Sequence, residues 1–270
     1  MDTQAFKQTL HKSDRYNRRG FGSANKRAQA LAEAYQSVLI GSIRENGNLL
    51  EHGRLKVKLA EAFGFCWGVE RSIELALSAA EKYKGQKLHI TNELIHNPGV
   101  NDMMGNVGIE FIEKTAEGKR FDKVEEGDVV ILPAFGATLE EMDLLDKRGV
   151  TTVDTTCPWV SKVWNVVDKQ VAKGMTTVIH GKYAHEEAIA TASYCDNYIM
   201  VKNIDEAEYV CRYILNPTPA GKEALLAKFA KAMSKGFDPD VHLAKVGLAN
   251  QTTMYKKETQ AIGKLFELTM

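Results

Sequence analysis

The stretch VTTVDTTCPWVSKVWNVVDKQVAKG, residues 150–174, contains a complete strand-to-helix transition around one cysteine. The β-branched segment before Cys157 predicts a strand over Val150–Thr156. The apolar residues after it recur at helical spacing, with Pro in the first turn and Gly just past the end, and they predict a helix over Pro158–Gly174. Cys157 therefore lies where a strand ends and a helix begins.

A second stretch, AFGFCWGVERSIELALSAAEKY at residues 62–83, repeats this arrangement around Cys66. The segment Leu55–Phe63 predicts the strand before the cysteine, and the amphipathic pattern of Trp67–Tyr83 predicts the helix after it. Two cysteines far apart in the chain thus share one local setting, which indicates an internal repeat.

The repeat extends beyond the cysteines. In the first unit the next predicted strand is followed by His96, and a later strand ends at Phe135. In the second unit the corresponding features are His185 and Thr252. Strands that alternate with helices predict an α/β protein with mainly parallel sheets. Residues 195–240 are interpreted as an insertion in the second unit.

The pattern divides the chain into three parts. They are an N-terminal helical extension (1–54), a first α/β domain that carries Cys66 (55–156) and a second α/β domain that carries Cys157 (157–270). Within the extension, Ser23–Asn46 has helical spacing, and Asn46-Gly47-Asn48 predicts its end. The first thirty residues are interpreted as a solvated extension.

Composition excludes several classes of protein. The 270 residues are 44% hydrophobic and 26% charged, which is typical of a folded soluble chain and not of a disordered one. Lys+Arg and Asp+Glu both total 35, so the basic excess of a nucleic-acid-binding protein is missing. No apolar run reaches the roughly 18 residues of a membrane helix. No secretory signal is recognisable, so a cytoplasmic location and reduced cysteines are expected.

The cysteines at the predicted helix starts are suited to metal binding. Helix N-termini carry free N–H groups and partial positive charge, which favour the metal-binding thiolate. A single cysteine there would be interpreted as a small buried hydrophobic residue, but Cys66 and Cys157 occupy equivalent positions of a repeat. We interpret Cys195 and Cys211 as structural. None of the four has CxxC spacing, which excludes a zinc ribbon.

Histidines and carboxylates follow the strands of both units. His96 and His185 at matched positions indicate a clamp for a phosphate or diphosphate group. Glu187 could pass a proton to a substrate from the same loop. Glu186 is interpreted as a charge favoured by the helix dipole.

Five motifs together resemble one family, that of the LytB proteins, the 4-hydroxy-3-methylbut-2-enyl diphosphate reductases. They are AFGFCWGVER, ELIHNP, DTTCPWVSKVW, HGKYAHEEAIATAS and ANQTTM. The residues of these motifs are most similar to those of the cyanobacterial and plastid members. The resemblance implies a trefoil of three similar parallel-sheet α/β domains, two of them in this chain. It also implies conversion of (E)-4-hydroxy-3-methylbut-2-enyl diphosphate to isopentenyl and dimethylallyl diphosphates, within the methylerythritol phosphate pathway of isoprene biosynthesis.

The resemblance assigns roles to six residues. They are the iron–sulfur ligands Cys66 and Cys157, the substrate contacts His96, His185 and Thr252, and the proton donor Glu187. Phe135 stands where many bacterial members have a histidine, and the plant-like branch resembles this chain in having Phe at this position. The family's [4Fe–4S] cluster takes a third cysteine, expected beyond Met270, so a truncated and inactive chain is the expectation. Ferredoxin or flavodoxin is the expected electron donor, and a eukaryotic source would place the protein in the plastid stroma.

Two alternatives remain open at this point. The first is a non-catalytic two-domain remnant that binds diphosphates or a partner chain, and the missing third cysteine favours it. The second is a zinc or thiol enzyme that uses Cys66 and Cys157, and it explains neither the histidines nor the repeat.

Overall fold

The computed structural model describes residues 3–21, 37–115 and 118–270. Its helices are α1 (Thr3–Lys12), α2 (Val38–Glu45), α3 (Trp67–Lys82), α4 (Pro98–Asn106), α5 (Leu139–Lys147), α6 (Pro158–Val171), α7 (Glu186–Ser193), α8 (Ile204–Leu215), α9 (Pro219–Lys228), α10 (Pro239–His242) and α11 (Lys256–Thr269). Its strands are β1 (Tyr16–Asn17), β2 (Leu49–His52), β3 (Leu55–Lys58), β4 (Leu88–Ile90), β5 (Ile109–Phe111), β6 (Lys114–Thr115), β7 (Gly118–Lys119), β8 (Val129–Leu132), β9 (Thr151–Asp154), β10 (Thr176–His180), β11 (Tyr198–Val201) and β12 (Val246–Asn250).

Five strands form a parallel sheet in the order β1-β9-β8-β4-β5. All four residues of β8 are buried, since helices cover both faces of the sheet. Such continuous burial explains why Val129–Leu132 is a run of apolar residues and not an alternating pattern. The prediction of an α/β protein with mainly parallel sheets is confirmed.

A second parallel sheet has the order β11-β10-β12. Its central strand, Thr176–His180, is buried along its whole length. In this sheet β10 lies between β11 and β12, just as β4 lies between β5 and β8 in the first sheet. The two units therefore share a strand order as well as a sequence order.

The interpretation of residues 195–240 as an insertion is wrong for its first part. Tyr198–Val201 forms β11, an integral strand that pairs with β10 as β5 pairs with β4. The following helix α8 buries Val210 and Cys211 in the core beneath α11. The error arose because the sequence offers no motif that marks β5 and β11 as counterparts.

The strand predicted over Leu55–Phe63 is also different in the structure. Only Leu55–Lys58 is a strand, and it pairs antiparallel with Leu49–His52 in a separate exposed hairpin. Lys56 and Lys58 alternate with apolar residues, so the segment cannot lie in a sheet covered on both faces. The domain boundary drawn between residues 54 and 55 falls within this hairpin, where its turn meets β3.

In the described range 3–21, the N-terminal segment is not a solvated extension. Leu10 of α1 is buried in a core cluster with residues of α5 and α6. Tyr16 and Asn17 add β1 to the edge of the first sheet, beside β9. Of the predicted helix Ser23–Asn46, the structure describes α2 at its end, and residues 23–36 lie outside the described residues.

The starts and ends of several helices follow from their sequence. Thr138 and Glu141 form a capping box at the start of α5, and Gly149 just past its end has φ of 73°. Pro158 occupies the first turn of α6. No helix in the described part of the chain combines the length and the apolarity that crossing a membrane requires.

Candidate functional site

Cys66 and Cys157 line the same cavity, which has a volume of about 700 Å³. Cys66 is the N-cap of α3 and Cys157 is the N-cap of α6, so two helix N-termini meet at the cavity. Cys66 is exposed and Cys157 is buried. The structure thus brings together two thiols that the repeat predicted to share a site. Most of the lining is apolar, including Val69, Ile95 and Val163.

Cys157 is hydrogen-bonded to the segment just past β8 and packs closely against the first turn of α3. Its backbone N–H donates to Ala134 O at 3.0 Å. A Cβ atom at Gly68 would lie 2.4 Å from the Cys157 Sγ atom. Only glycine therefore allows the first turn of α3 to approach the second thiol this closely.

His96 and His185 form a pair, with 3.3 Å between their Nε2 atoms. His185 Nδ1 accepts a hydrogen bond from the Glu187 N–H at 3.1 Å, so the neutral ring carries its proton on Nε2. His96 Nδ1 lies 2.9 Å from a Glu93 carboxylate oxygen, which fits a donating Nδ1–H. The pair thus shares one N–H between the two facing nitrogens. Burial and the neighbouring His96 lower the pKa of His185.

Phe135 connects this histidine pair to the cavity. Its ring stacks on His96 with 4.4 Å between centroids and meets His185 edge-on at 5.3 Å. The same ring lines the cavity that holds the two thiols. The apolar residue at this position therefore orients both imidazoles without offering a polar contact of its own.

The buried Glu187 and the exposed Thr252 are hydrogen-bonded to each other and line the same cavity. Glu187 Oε1 accepts from the Thr252 N–H at 2.5 Å, and Oε2 accepts from the Thr252 hydroxyl at 3.0 Å. Glu187 is only 1% exposed. Burial raises the pKa of its carboxyl, and the bonds from Thr252 offset this only in part. A carboxyl with a raised pKa is suited to donating a proton.

Glu186 lies at the mouth of the site. As the first residue of α7 it fits its interpretation as a helix N-terminal charge. It also accepts from Lys114 Nζ at 3.2 Å. Ligand atoms of His96, His185 and Glu186 lie within 4.8 Å of one another, a spacing that could hold a metal ion. Lys114 already compensates the Glu186 carboxylate, and Glu93 is bonded to the His96 ring.

The two remaining cysteines lie away from this cavity. Cys211 is buried in the core of the second unit. Burial raises the pKa of Cys195 to about 12. Both observations agree with the structural interpretation of these residues.

Sequence analysis did not find two residues that shape the site. Lys162, in the second turn of α6, lines the cavity with Asn250 at the end of β12. An exposed lysine on an amphipathic helix carries no sequence signal that separates it from a solvated charge. Asn250 is the second residue of the ANQTTM motif, so its position at a strand end was the available signal.

Fold and site define an α/β protein with two parallel sheets and a thiol-lined cavity at the carboxyl ends of their strands. A profile described as LytB protein matches residues 57–270. The 4-hydroxy-3-methylbut-2-enyl diphosphate reductase of Prochlorococcus marinus strain NATL1A is 63% identical over 270 residues, which are 100% of this chain and 67% of the relative. That of Synechococcus sp. strain CC9605 is 56% identical, with the same shares. The chain belongs to the LytB family, and by family it is an enzyme of this cyanobacterial type.

A solved structure from Plasmodium falciparum, an E-1-hydroxy-2-methyl-but-2-enyl-4-diphosphate reductase, shares the fold. Its TM-score is 0.58 at 21% identity, and the match covers 77% of this chain and 55% of that chain. The chain thus spans about two thirds of the curated relatives and about half of this structure.

Proposed function

We propose that this chain carries most of the site for reductive dehydroxylation of an allylic diphosphate. The substrate would be (E)-4-hydroxy-3-methylbut-2-enyl diphosphate, the one that the relatives' name implies. One observation carries the proposal. Two distant thiols, a buried carboxyl and a threonine line one cavity, and a histidine pair meets it at Phe135.

The two thiols fit an iron–sulfur cluster. Cysteine thiolates are its usual protein ligands, and helix N-termini favour the thiolate form. The largely apolar lining would limit the access of water to such a group. A bound [4Fe–4S] cluster would supply electrons and, at an iron without cysteine, a Lewis acid for the substrate's hydroxyl group. The described residues bring Cys66 and Cys157 to the cavity, and a three-cysteine cluster would need one thiolate more.

The histidine pair would bind the diphosphate. Its neutral form holds one shared N–H, and protonation on anion binding would give two donors toward the phosphate oxygens. Phe135 would keep both rings facing the anion. Holding the diphosphate there would place the allyl group in the apolar cavity.

Glu187 would supply the proton as the C–O bond breaks. The reaction consumes two electrons and two protons: water leaves from the hydroxyl carbon, and a C–H bond forms on the allyl group. Ferredoxin or flavodoxin would deliver the electrons. Thr252 would orient the carboxyl through the two hydrogen bonds it donates.

The alternative is a diphosphate-binding chain without turnover, because the cavity has two cysteine thiols among the described residues. The experiment compares this chain with an extended chain, in which it is joined to the remaining third of the Prochlorococcus marinus NATL1A relative. Both are assayed anaerobically with the substrate and reduced methyl viologen. We expect turnover in the extended chain and little in the chain alone. An extended chain that holds a cluster but forms neither product would overturn the proposal.

A further inference from the structure

A second cavity, of about 820 Å³, lies next to the thiol-lined one. It is bounded by the segment that follows α1 and by the helices α3 and α6. Lys162 lines both cavities, so the first turns of α6 separate them. None of the residues assigned to the proposed reaction lines this second cavity.

The second cavity is predominantly cationic. The charged residues that line it are the cations Arg18, Arg19, Arg71 and Lys162, the titratable His11 and the acid Asp14. Asp154 does not line the cavity, but its Oδ2 atom lies 3.5 Å from Arg18 Nε and balances the charge of that guanidinium. Burial, and to a lesser extent the Arg18 charge, lower the pKa of His11. Arg19, Arg71 and Lys162 therefore outnumber the single remaining acid.

Two donors at this cavity have no acceptor. The Nη2 atom of Arg71 donates to Arg18 O at 2.7 Å, but its Nη1 atom is buried and finds no partner among the described residues. The same holds for Asn17 Nδ2. Buried donors are almost always paired in folded proteins, so this wall lacks an acceptor-rich group.

We propose that this cavity binds the phosphate or diphosphate group of a small molecule. Guanidinium groups match phosphate oxygens with paired N–H donors, and two of the four cations here are partly buried arginines. The cavity's volume lies within the roughly 300–1,000 Å³ of small-molecule sites. An acidic protein surface would meet the exposed Arg19 and Lys162, but it would leave the buried Arg71 donor unpaired.

The test uses calorimetric titration with inorganic diphosphate in a His96→Gln/His185→Gln background, which disables the first site. We expect one equivalent to bind per chain and the affinity to fall with salt. Adding Arg19→Gln and Lys162→Gln, both at exposed positions, should weaken binding by about tenfold for each cation. Lys235→Gln, an exposed lysine of the second unit, is the matched control. Lys162 also lines the thiol-lined cavity, so the Arg19→Gln change, made alone, locates the binding in the second cavity. Since the background lacks the histidine pair, that result is independent of the proposed reaction.

Dimethylallyl diphosphate is titrated in parallel to separate two sources of the group. Equal affinity would assign the cavity to the phosphate group alone, whereas tighter binding would assign it to a diphosphate ester; both results sustain the proposal. Absence of binding in the histidine background would overturn it. Unchanged affinity in the Arg19→Gln/Lys162→Gln variant would also overturn it. A third contrary result would be an acidic protein that binds to this cavity and is not displaced by diphosphate.

Discussion

The two units of this chain place a cysteine at the same point with different support. Cys157 follows β9, which pairs with β8, and its own N–H donates to Ala134 O. Cys66 follows a segment outside the sheets, and it is exposed. Yet both residues are N-caps with similar backbone angles, φ/ψ of −58°/133° for Cys157 and −75°/158° for Cys66. The difference teaches that the helix start, and not the preceding strand, is the part of the motif that positions the thiol.

The units also differ in the chemistry that follows each histidine. His96 precedes Asn97, which caps α4 through its side chain, and Pro98. His185 is itself the cap of α7 and precedes Glu186 and Glu187. The first unit thus contributes an imidazole alone, whereas the second contributes an imidazole and a buried carboxyl. In the proposed reaction, this asymmetry places proton transfer in the second unit.

The largest expected effect concerns that asymmetry. Glu187→Gln keeps the shape of the side chain but removes the acidic proton, so turnover of the extended chain should fall by about 100-fold. In the unchanged enzyme, turnover should decline as pH rises above the raised pKa of Glu187, because the carboxyl then loses its proton. Steady-state assays across pH measure both effects. Glu186→Gln is the matched control, and an equal loss there would remove the assignment.

The next effect tests the contact between the units' cysteine segments. Gly68→Ala would place a Cβ atom against Cys157 Sγ, and we expect a loss of about 1–3 kcal/mol in the free energy of unfolding. Gly105→Ala is the control, since nothing lies within 4 Å of its Cβ position in α4. That change should stabilise by about 0.5–1 kcal/mol. Denaturant unfolding measures the free energy of unfolding of both variants. Equal changes would show that the first turn of α3 can move away from Cys157 without loss of stability.

A smaller effect tests the extra support of Cys157. The Tyr16 hydroxyl donates to the buried Asp154 at 2.5 Å, and Asp154 also accepts from the Thr156 N–H just before the cysteine. Tyr16→Phe should cost about 1–2 kcal/mol of unfolding free energy, because it removes a bond to a charged acceptor. Tyr255→Phe, at an exposed tyrosine, should cost almost nothing. If both variants lose the same free energy of unfolding, the N-terminal segment does not stabilise the turn before Cys157.

Much of the fold could be predicted from the periodicity of apolar residues and from the residue types at helix starts and turns. Buried strands such as Val129–Leu132 and helices with a clear start, such as the one at Pro158, stand out locally. The N-terminal segment could not be predicted, because Leu10 and Tyr16 are single apolar residues whose burial depends on partners far along the chain. The exposed hairpin Leu49–Lys58 was missed for a related reason, since a two-stranded ribbon carries the same alternation as a sheet strand.

The candidate site was predictable where the repeat doubled a signal. Cys66 and Cys157 were recognised as a pair, as were His96 and His185, because each occupies an equivalent place twice. The structure adds what spacing cannot give, namely the Nε2–Nε2 distance of 3.3 Å and the burial of Glu187. Lys162 occurs once and looks like any surface lysine, so only the cavity reveals it.

We propose that the two cysteines at the helix starts hold one iron–sulfur cluster despite their different support. The most direct measurement is the iron and labile sulfide content of the extended chain after anaerobic reconstitution, together with its brown charge-transfer absorption. Cys66→Ser and Cys157→Ser should each lose most of the cluster, whereas Cys195→Ser should keep it. Normal cluster content in both helix-start variants, or preferential binding of zinc by the unchanged chain, would contradict the account.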